Sequence, residues 1–384
     1  MRLRPLWRRL HLWLGLAGGI VFVLLGLSGS ALVYREEMLG LLYPGAMHVP
    51  ATGAVAPPST LLAAAAAQSG RPVAYLRYPG EPDRPVQAVL AGGGGTLLLD
   101  PYTARPLGPL PGGFFTILFD LHSQLLLGDP GRSAVGWFGL LLVATAVSGL
   151  VLWWPRGRHW RSAFSIQWRA GSWRLHFSLH RSAGALAALP LLLLGLSGSA
   201  IVFRSTLVPA MHALGGARPV APAIPAPASA AGIDAMAAAA LEMLPGSRLA
   251  FVSPPGQPGG TIRIRLRRAG EIHQNGRSYV LFDAAGRIRE WQDAPALPAA
   301  NILFDQLPYP LHTGFLFGAT GRFAVFLSGL LPALLFGTGL YLWLRRRPPG
   351  RAGQPPAWKR MAPRPRHSSS ANSPPAADSG SIAQ

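Results

Sequence analysis

Two apolar stretches of this 384-residue chain are near copies of each other. Residues 9–36 read RLHLWLGLAGGIVFVLLGLSGSALVYRE and residues 179–204 read LHRSAGALAALPLLLLGLSGSAIVFR, which sets His180 opposite His11, Gly184 opposite Gly15 and Arg204 opposite Arg35 at a constant offset of 169. A second pair, LHSQLLLGDPGRSAVGWFGLLLVATAVSGLVLWWPR (121–156) and LHTGFLFGATGRFAVFLSGLLPALLFGTGLYLWLRR (311–346), aligns at an offset of 190. It matches His122 with His312, Arg132 with Arg322 and Gly149 with Gly339. Each of the four segments holds an apolar run, at 12–34, 133–154, 183–203 and 322–344. Runs of about 21 to 23 residues measure about 32 to 35 Å as helix, enough to cross roughly 30 Å of hydrocarbon. The expected fold is an integral membrane α-helical protein, a four-helix transmembrane bundle from two tandem halves. Because both halves enter in the same direction, a pseudo-twofold axis should run along the membrane normal.

Composition agrees, with 49% hydrophobic and 13% charged residues and a mean hydropathy of +0.28. A net charge of +20 raises the question of nucleic acid, but its placement argues against that partner. The N-terminal MRLRPLWRR, the loop 155–181 and the segment 345–366 carry 18 of the 35 Lys and Arg residues and no acid. Basic residues on one side of the spans follow the positive-inside pattern. Both termini and the 155–181 loop are thus expected in the cytoplasm, and 35–131 and 204–321 on the far side, the periplasm of a bacterial inner membrane. A basic start, an apolar run and SGSA could also make a cleaved signal peptide. The recurrence of GLSGSA at 195–200, where no such cleavage serves export, favours a first span.

Between the spans of each half the sequence shows helix-forming and then alternating segments: PSTLLAAAAAQSG, RPVAYLRYPG, PVQAVLAGG and GTLLLDPYTARPLG in the first half, AGIDAMAAAALEMLP, RLAFVSPP, TIRIRLRRAG and SYVLFDAAGRIREWQD in the second. Each reads as a helix followed by a small antiparallel sheet, a small α+β extracytoplasmic domain. The Pro/Ala/Gly-rich 215–232 reads as a linker. The expected layout is therefore a basic N-terminus and first span (1–35), soluble domain one (36–115), a His-bearing segment and second span (116–155), a basic loop (156–181), the third span (182–204), linker and soluble domain two (205–310), a His-bearing segment and fourth span (311–346), and a disordered tail (347–384).

Zero cysteines exclude disulfides, thiolate-held iron–sulfur clusters and covalent c-type haem attachment. Of ten histidines, only His11, His122, His180 and His312 occupy duplicated positions. In the topology above they make two pairs, one near each leaflet. A single histidine at a helix mouth is most simply an interfacial residue, but ionisable groups at membrane segments that recur in symmetric pairs point to function. Two imidazoles with no carboxylate or thiol beside them suit haem iron, whose porphyrin supplies the other four ligands; zinc would want three or four protein ligands. Gly15 and Gly184 follow their histidines by one helical turn and would let a flat macrocycle approach. Arg132 and Arg322 are candidates to neutralise its propionates, against simple snorkelling. His176, one turn before His180 on the same face, is the substitute for it. His48, His159, His212, His273 and His367 read as surface residues. No catalytic triad, Walker loop or dinucleotide fingerprint is visible, and GGGG at 92–95 reads as a hairpin turn.

RRLHLWLGLAGG…GLSGSALVYREE, LHSQLLLGDPGR…VSGLVLWWPR, LHRSAG…GLSGSAIVF and LHTGFLFGATGR…GTGLYLWLRRR together resemble the PepSY-associated transmembrane proteins, which include iron-regulated inner-membrane proteins, over about residues 5–346. The resemblance implies PepSY-like periplasmic domains and two b-type haems, with His11 and His180, and His122 and His312, as axial ligands. It further implies ferrisiderophore reduction on the periplasmic side, with electrons from a quinol or a cytoplasmic partner and Fe(II) released for uptake. The rival reading is a membrane-anchored PepSY-type sensor or peptidase-inhibitor module without redox activity. A repeat-built transporter is disfavoured, since no span holds the acidic or amide cluster of a broken helix.

Overall fold

The computed structural model describes residues 3–155, 160–218, 232–257 and 259–345. The tail expected to be disordered (347–384), most of the linker (219–231), His159 and His367 lie outside the described residues. The chain divides into two compact units, Met1–Trp343 and Leu344–Gln384. Of the second, only Leu344, which ends a helix, and Arg345, in a turn, are described.

Four helices are long and apolar enough to cross a membrane. The first, α1 (Arg4–Val33), breaks at Tyr34 into α2 (Arg35–Leu42) and α3 (Pro44–Met47). A soluble stretch follows: α4 (Pro58–Ser69), β1 (Val73–Arg77), β2 (Val86–Leu90), β3 (Thr96–Leu99) and β4 (Pro106–Pro109). Gly70, left-handed at φ 65°, stops α4, as glycine does where a side chain would strain the backbone. Then come α5 (Gly113–Gln124), the second span α6 (Gly128–Trp153), the short α7 (Trp160–Ala163) and the third span α8 (Ser172–Val202). The chain breaks at Phe203 into α9 (Arg204–Ala213) and continues through α10 (Ile233–Met243), β5 (Ser247–Ser253), β6 (Ile262–Arg268), β7 (Ser278–Phe282) and β8 (Ile288–Gln292). After α11 (Ala299–Asn301) and a π-helical turn at Ile302–Gln306, α12 (Pro308–Thr313) leads to the fourth span, α13 (Gly318–Leu344).

The spanning helices have 30, 26, 31 and 27 residues, longer than the apolar runs. Hydropathy marks only the part that must sit in hydrocarbon. Polar turns such as Arg4–Leu10 and Ser172–Arg181 continue the same backbone hydrogen bonding beyond it, helped at α1 by Pro5, whose fixed φ suits a first turn. Pro190 and Pro332 lie inside α8 and α13 without ending them, as membrane helices tolerate.

Lipid offers no hydrophobic drive for helix association, so close packing of small residues has to provide it. Two crossings do so. Gly139 of α6 meets Gly195 of α8 so closely that a Cβ on Gly195 would stand 2.8 Å from the Gly139 carbonyl oxygen, and a Cβ on Gly329 of α13 would stand 2.5 Å from that of Gly26 in α1. Beside each crossing a serine satisfies a facing carbonyl: Ser199 Oγ donates to Gly136 O (2.8 Å) and Ser30 Oγ to Phe326 O (2.7 Å).

The two soluble stretches do not form separate sheets. They make one eight-stranded antiparallel sheet in the order β4-β3-β2-β1-β5-β6-β7-β8, joined where Leu76 pairs Val252 and Arg77 pairs Phe251. Left apart, β1 and β5 would each present an unpaired edge, which this pairing removes. Alternation places Val86, Ala88, Leu90, Ile262, Ile264, Leu266, Val280 and Phe282 on one face, where they share a core with Leu61 and Ala65 of α4 and Met236, Ala237 and Ala240 of α10. Leu98, from the opposite face, packs with Leu39 of α2, Met47 of α3 and Phe115 of α5. That face therefore looks toward the helices that lead out of the membrane. It also carries Arg263 and Arg265, stacked over Tyr279 (4.9 Å) and Phe251 (5.0 Å).

His273, read from the sequence as a surface residue, is 2% exposed. The β6–β7 connection folds back on itself, with Glu271 accepting from the Arg277 and Ser278 backbone N–H groups, and lays the imidazole on the Tyr309 ring (5.0 Å, 15°). Burial, reinforced by Arg277, Arg265, Arg267 and Arg204, lowers its pKa to about 2. The folded state thus keeps His273 neutral, while an unfolded chain takes up its proton below about pH 6.5. The stability this contributes is complete above that pH and is lost as pH falls below it. Thermal unfolding of the full chain should become easier between pH 6.5 and 5, by up to about tenfold in the unfolding equilibrium per unit. His273→Phe, which keeps the ring stack, should flatten that slope; an unchanged slope would remove His273 as its cause.

Candidate functional site: two facing histidine pairs

Each duplicated histidine is aimed by a neighbouring helix. His11 of α1 donates from Nδ1 to the Thr145 carbonyl (3.1 Å) and lies 2.9 Å from Ser148 Oγ, both on α6. His180 of α8 does the same to Leu335 O and Thr338 Oγ1 of α13, each at 3.0 Å. At the other end of the bundle, His122 of α5 donates to Leu25 O (2.9 Å) with Ser28 Oγ at 3.2 Å. His312 of α12 donates to Leu194 O with Ser197 Oγ beside it, each at 3.1 Å. A carbonyl only accepts, so every Nδ1 must carry the hydrogen. In each neutral ring that leaves the Nε2 lone pair uncommitted, as second-shell partners do for metal-binding histidines.

The rings come together in twos. His11 and His180 have centroids 6.1 Å apart, and His122 and His312 6.0 Å apart. Two imidazoles that each place a nitrogen about 2 Å from one shared metal would have centroids roughly 6 Å apart, so each pair has room for a single ion between its rings. Among the described residues no group of three or more His, Cys, Asp or Glu side chains could complete a coordination sphere. The donor set therefore suits a metal that brings its other ligands with it, as an iron porphyrin does. Beside the first pair the backbone is uncrowded: a Cβ built on Gly15 would touch nothing within 4 Å, and one on Gly184 would meet only Leu335 Cδ2 at 3.7 Å. From His11 to Leu25 is 14 residues of α1, so the pairs are about 20 Å apart along the bundle.

Four glycines, not two, shape these sites. Cβ atoms on Gly149 and Gly339 would stand 3.1 and 3.2 Å from Cε1 of His11 and His180, and on Gly29 and Gly198 they would stand 2.7 and 2.9 Å from Cε1 of His122 and His312. These positions and the Ser/Thr hydroxyls beside the imidazoles were not singled out as site residues from the sequence, although the repeated GLSGSA motif and the Gly149/Gly339 match hold the signal.

The remaining candidates stand elsewhere. His176 donates to its own helix at Ser172 O (2.7 Å) and stacks on Tyr341 (4.0 Å, 23°), so it does not face His11. Arg322 is committed: it pairs with Glu37, donates to Val33 O (2.6 Å) and lies over Tyr34 and Phe315. Arg132 is exposed and makes no ion pair among the described residues. The difference follows from the sequence, because the counterpart of Glu37 at offset 169 is Thr206, which has no charge to offer. His48 is exposed and His212 half-buried.

The sequence matches the family described as PepSY-associated TM region over residues 8–346, nearly its whole length. No curated protein matches it.

The packing makes opposite predictions for two sets of glycines. Gly29→Ala and Gly198→Ala, whose Cβ atoms would stand 2.7 and 2.9 Å from the imidazoles of His122 and His312, should displace those rings and lower the melting temperature. Gly45→Ala and Gly337→Ala, exposed helical positions where a Cβ meets nothing within 4 Å, should not lower it; equal behaviour of the two sets in thermal unfolding would contradict this geometry.

Proposed function

Because the chain belongs to the family of PepSY-associated TM regions, we propose that it is a bacterial inner-membrane electron-transfer protein that binds two b-type haems and reduces ferric siderophores at its periplasmic face. In this reading it is made of two tandem halves, each contributing a PepSY-like stretch to the shared sheet, and both termini face the cytoplasm, as the 18 basic residues of the three acid-free segments suggest. The observation that carries it is the pairing of imidazoles, each with its Nε2 uncommitted, whose ring centroids lie 6.1 and 6.0 Å apart at the two ends of one bundle. Bound haem would supply one-electron chemistry at each end.

The chain's own residues have limited tasks. Thr145, Leu335, Leu25 and Leu194 hold the Nδ1 hydrogens through their carbonyls, so His11, His180, His122 and His312 keep Nε2 as the nitrogen free to bind iron. The apolar side chains of the bundle keep water from the path between the pairs, where Phe22 and Phe138 meet edge to face at 6.4 Å. The substrate, Fe(III) in a siderophore, gains one electron from a donor on the cytoplasmic side, a quinol or a protein. Hard oxygen donors hold Fe(II) far less tightly than Fe(III), so reduction releases the iron. No side chain needs to move a proton or attack a carbonyl.

Protein purified from cells supplied with haem should be red, with a Soret band, sharp α bands on reduction and close to two haems per chain. His11→Ala or His180→Ala should remove about one, His122→Ala or His312→Ala the other, and dithionite-reduced protein should be reoxidised by a ferric siderophore. A colourless preparation would overturn the reading in favour of a membrane-anchored sensor or inhibitor.

A further inference from the structure

Arg35 and Arg204 are duplicated residues that the histidine pairs do not use. Each is the first residue past a break, Arg35 where α1 gives way to α2 and Arg204 where α8 gives way to α9, so both stand at the sheet end of the bundle. Arg204 Nε donates to Asp305 Oδ1 at 2.6 Å. Arg277 reaches the same oxygen at 3.8 Å and donates to the Asp305 carbonyl at 3.4 Å. Together with Ile201, Phe304 and Tyr309 they line a cleft of about 40 Å³.

The position of this cleft ties it to the upper histidine pair. Tyr309 is one turn before His312 on α12, and Ile201 is one turn beyond Ser197, which contacts His312. From Ser197 to Arg204 is about 10 Å along the helix.

Charge in and around the cleft is unbalanced. Arg35, Arg204, Arg265 and Arg277 gather about Tyr309, His273 and Asp305. Of the acids nearby, Asp305 is shared by two arginines, Glu271 is spent on backbone N–H groups, and Glu36 lies 3.7 Å from Arg77. Nε of Arg35 and Nε of Arg277 are buried with no hydrogen-bond partner. A buried donor without an acceptor is unfavourable, so an anion able to take up these hydrogens would be favoured. The volume admits one small polar group and no more, and planar forked guanidiniums match a planar two-oxygen acceptor.

We propose that this cleft binds a carboxylate, held by Arg204 and Arg277 with Arg35 beside them, next to the His122/His312 pair. The inference rests on the reductase reading for its purpose. The carboxylate belongs either to a ferric chelate bringing its metal to the bundle mouth or to a propionate of a porphyrin held by His122 and His312; the recognition chemistry is the same.

Full-length protein in detergent separates the two sources. Gallium(III) citrate, a carboxylate chelate that cannot be reduced under these conditions, serves as the probe by calorimetry, and the haem-to-protein ratio is read in parallel. Arg35→Gln breaks no ion pair, and the double variant Arg204→Gln/Asp305→Asn removes both charges of a pair, so folding should survive in at least one. A fall of about tenfold in gallium citrate affinity with haem unchanged assigns the carboxylate to the chelate. Loss or easier dissociation of haem with chelate binding unchanged assigns it to the propionate. If both variants match the parent in chelate affinity and in haem content, the proposal is wrong. Chelate binding needs no haem, so a colourless protein that still binds gallium citrate through these arginines would keep the site while ending the reductase reading.

Discussion

A hydrogen bond from each imidazole Nδ1 to a backbone carbonyl one helix away is the interaction on which the rest of this molecule depends. In a helix that carbonyl already accepts from the residue one turn on, yet it keeps a second lone pair. Four such carbonyls, of Thr145, Leu335, Leu25 and Leu194, are used. One bond of this kind contributes only about 1 kcal/mol in stability, so its importance lies in orientation. With Nδ1 tethered, the ring cannot rotate freely, and the two rings of each pair are held with centroids 6.1 and 6.0 Å apart.

That tether works only if the helices approach closely and stay in register. Glycine faces every imidazole, at Gly149, Gly339, Gly29 and Gly198, and glycine also sits at the α6·α8 and α1·α13 crossings. The hydroxyls of Ser148, Thr338, Ser28 and Ser197 close the remaining polar gap while donating to their own helices. Small residues and serines in these spans are thus a packing requirement first. They also leave the imidazoles as the polar groups directed into the bundle at each end.

Outside the membrane the chain departs from the repeat in ways that matter. Arg322 is neutralised by Glu37 and sandwiched by Tyr34 and Phe315, whereas Arg132 faces outward. Arg204 has Asp305, and Arg35 has no ion pair among the described residues. Because the sheet runs through both soluble stretches, these differences are gathered at one shared mouth instead of being held in two independent domains.

Much of the membrane part was legible in the sequence. Apolar length marked four spans, and the offsets of 169 and 190 singled out His11, His180, His122 and His312; the same offsets relate their partners, Leu25 to Leu194, Ser28 to Ser197, Thr145 to Leu335 and Ser148 to Thr338. A repeat constrains equivalent positions equally, and spans of similar length place them at similar depth, so local pattern was enough. The sequence could not separate His176 from His180 by face, because both lie one turn apart and only the neighbouring helix decides which ring points inward. It could not reveal that two soluble stretches share a sheet, since β1 and β5 are paired by contact across more than 170 residues of chain, nor that Arg322 is already neutralised and His273 buried. Those outcomes depend on which surfaces meet, and only tertiary structure decides that.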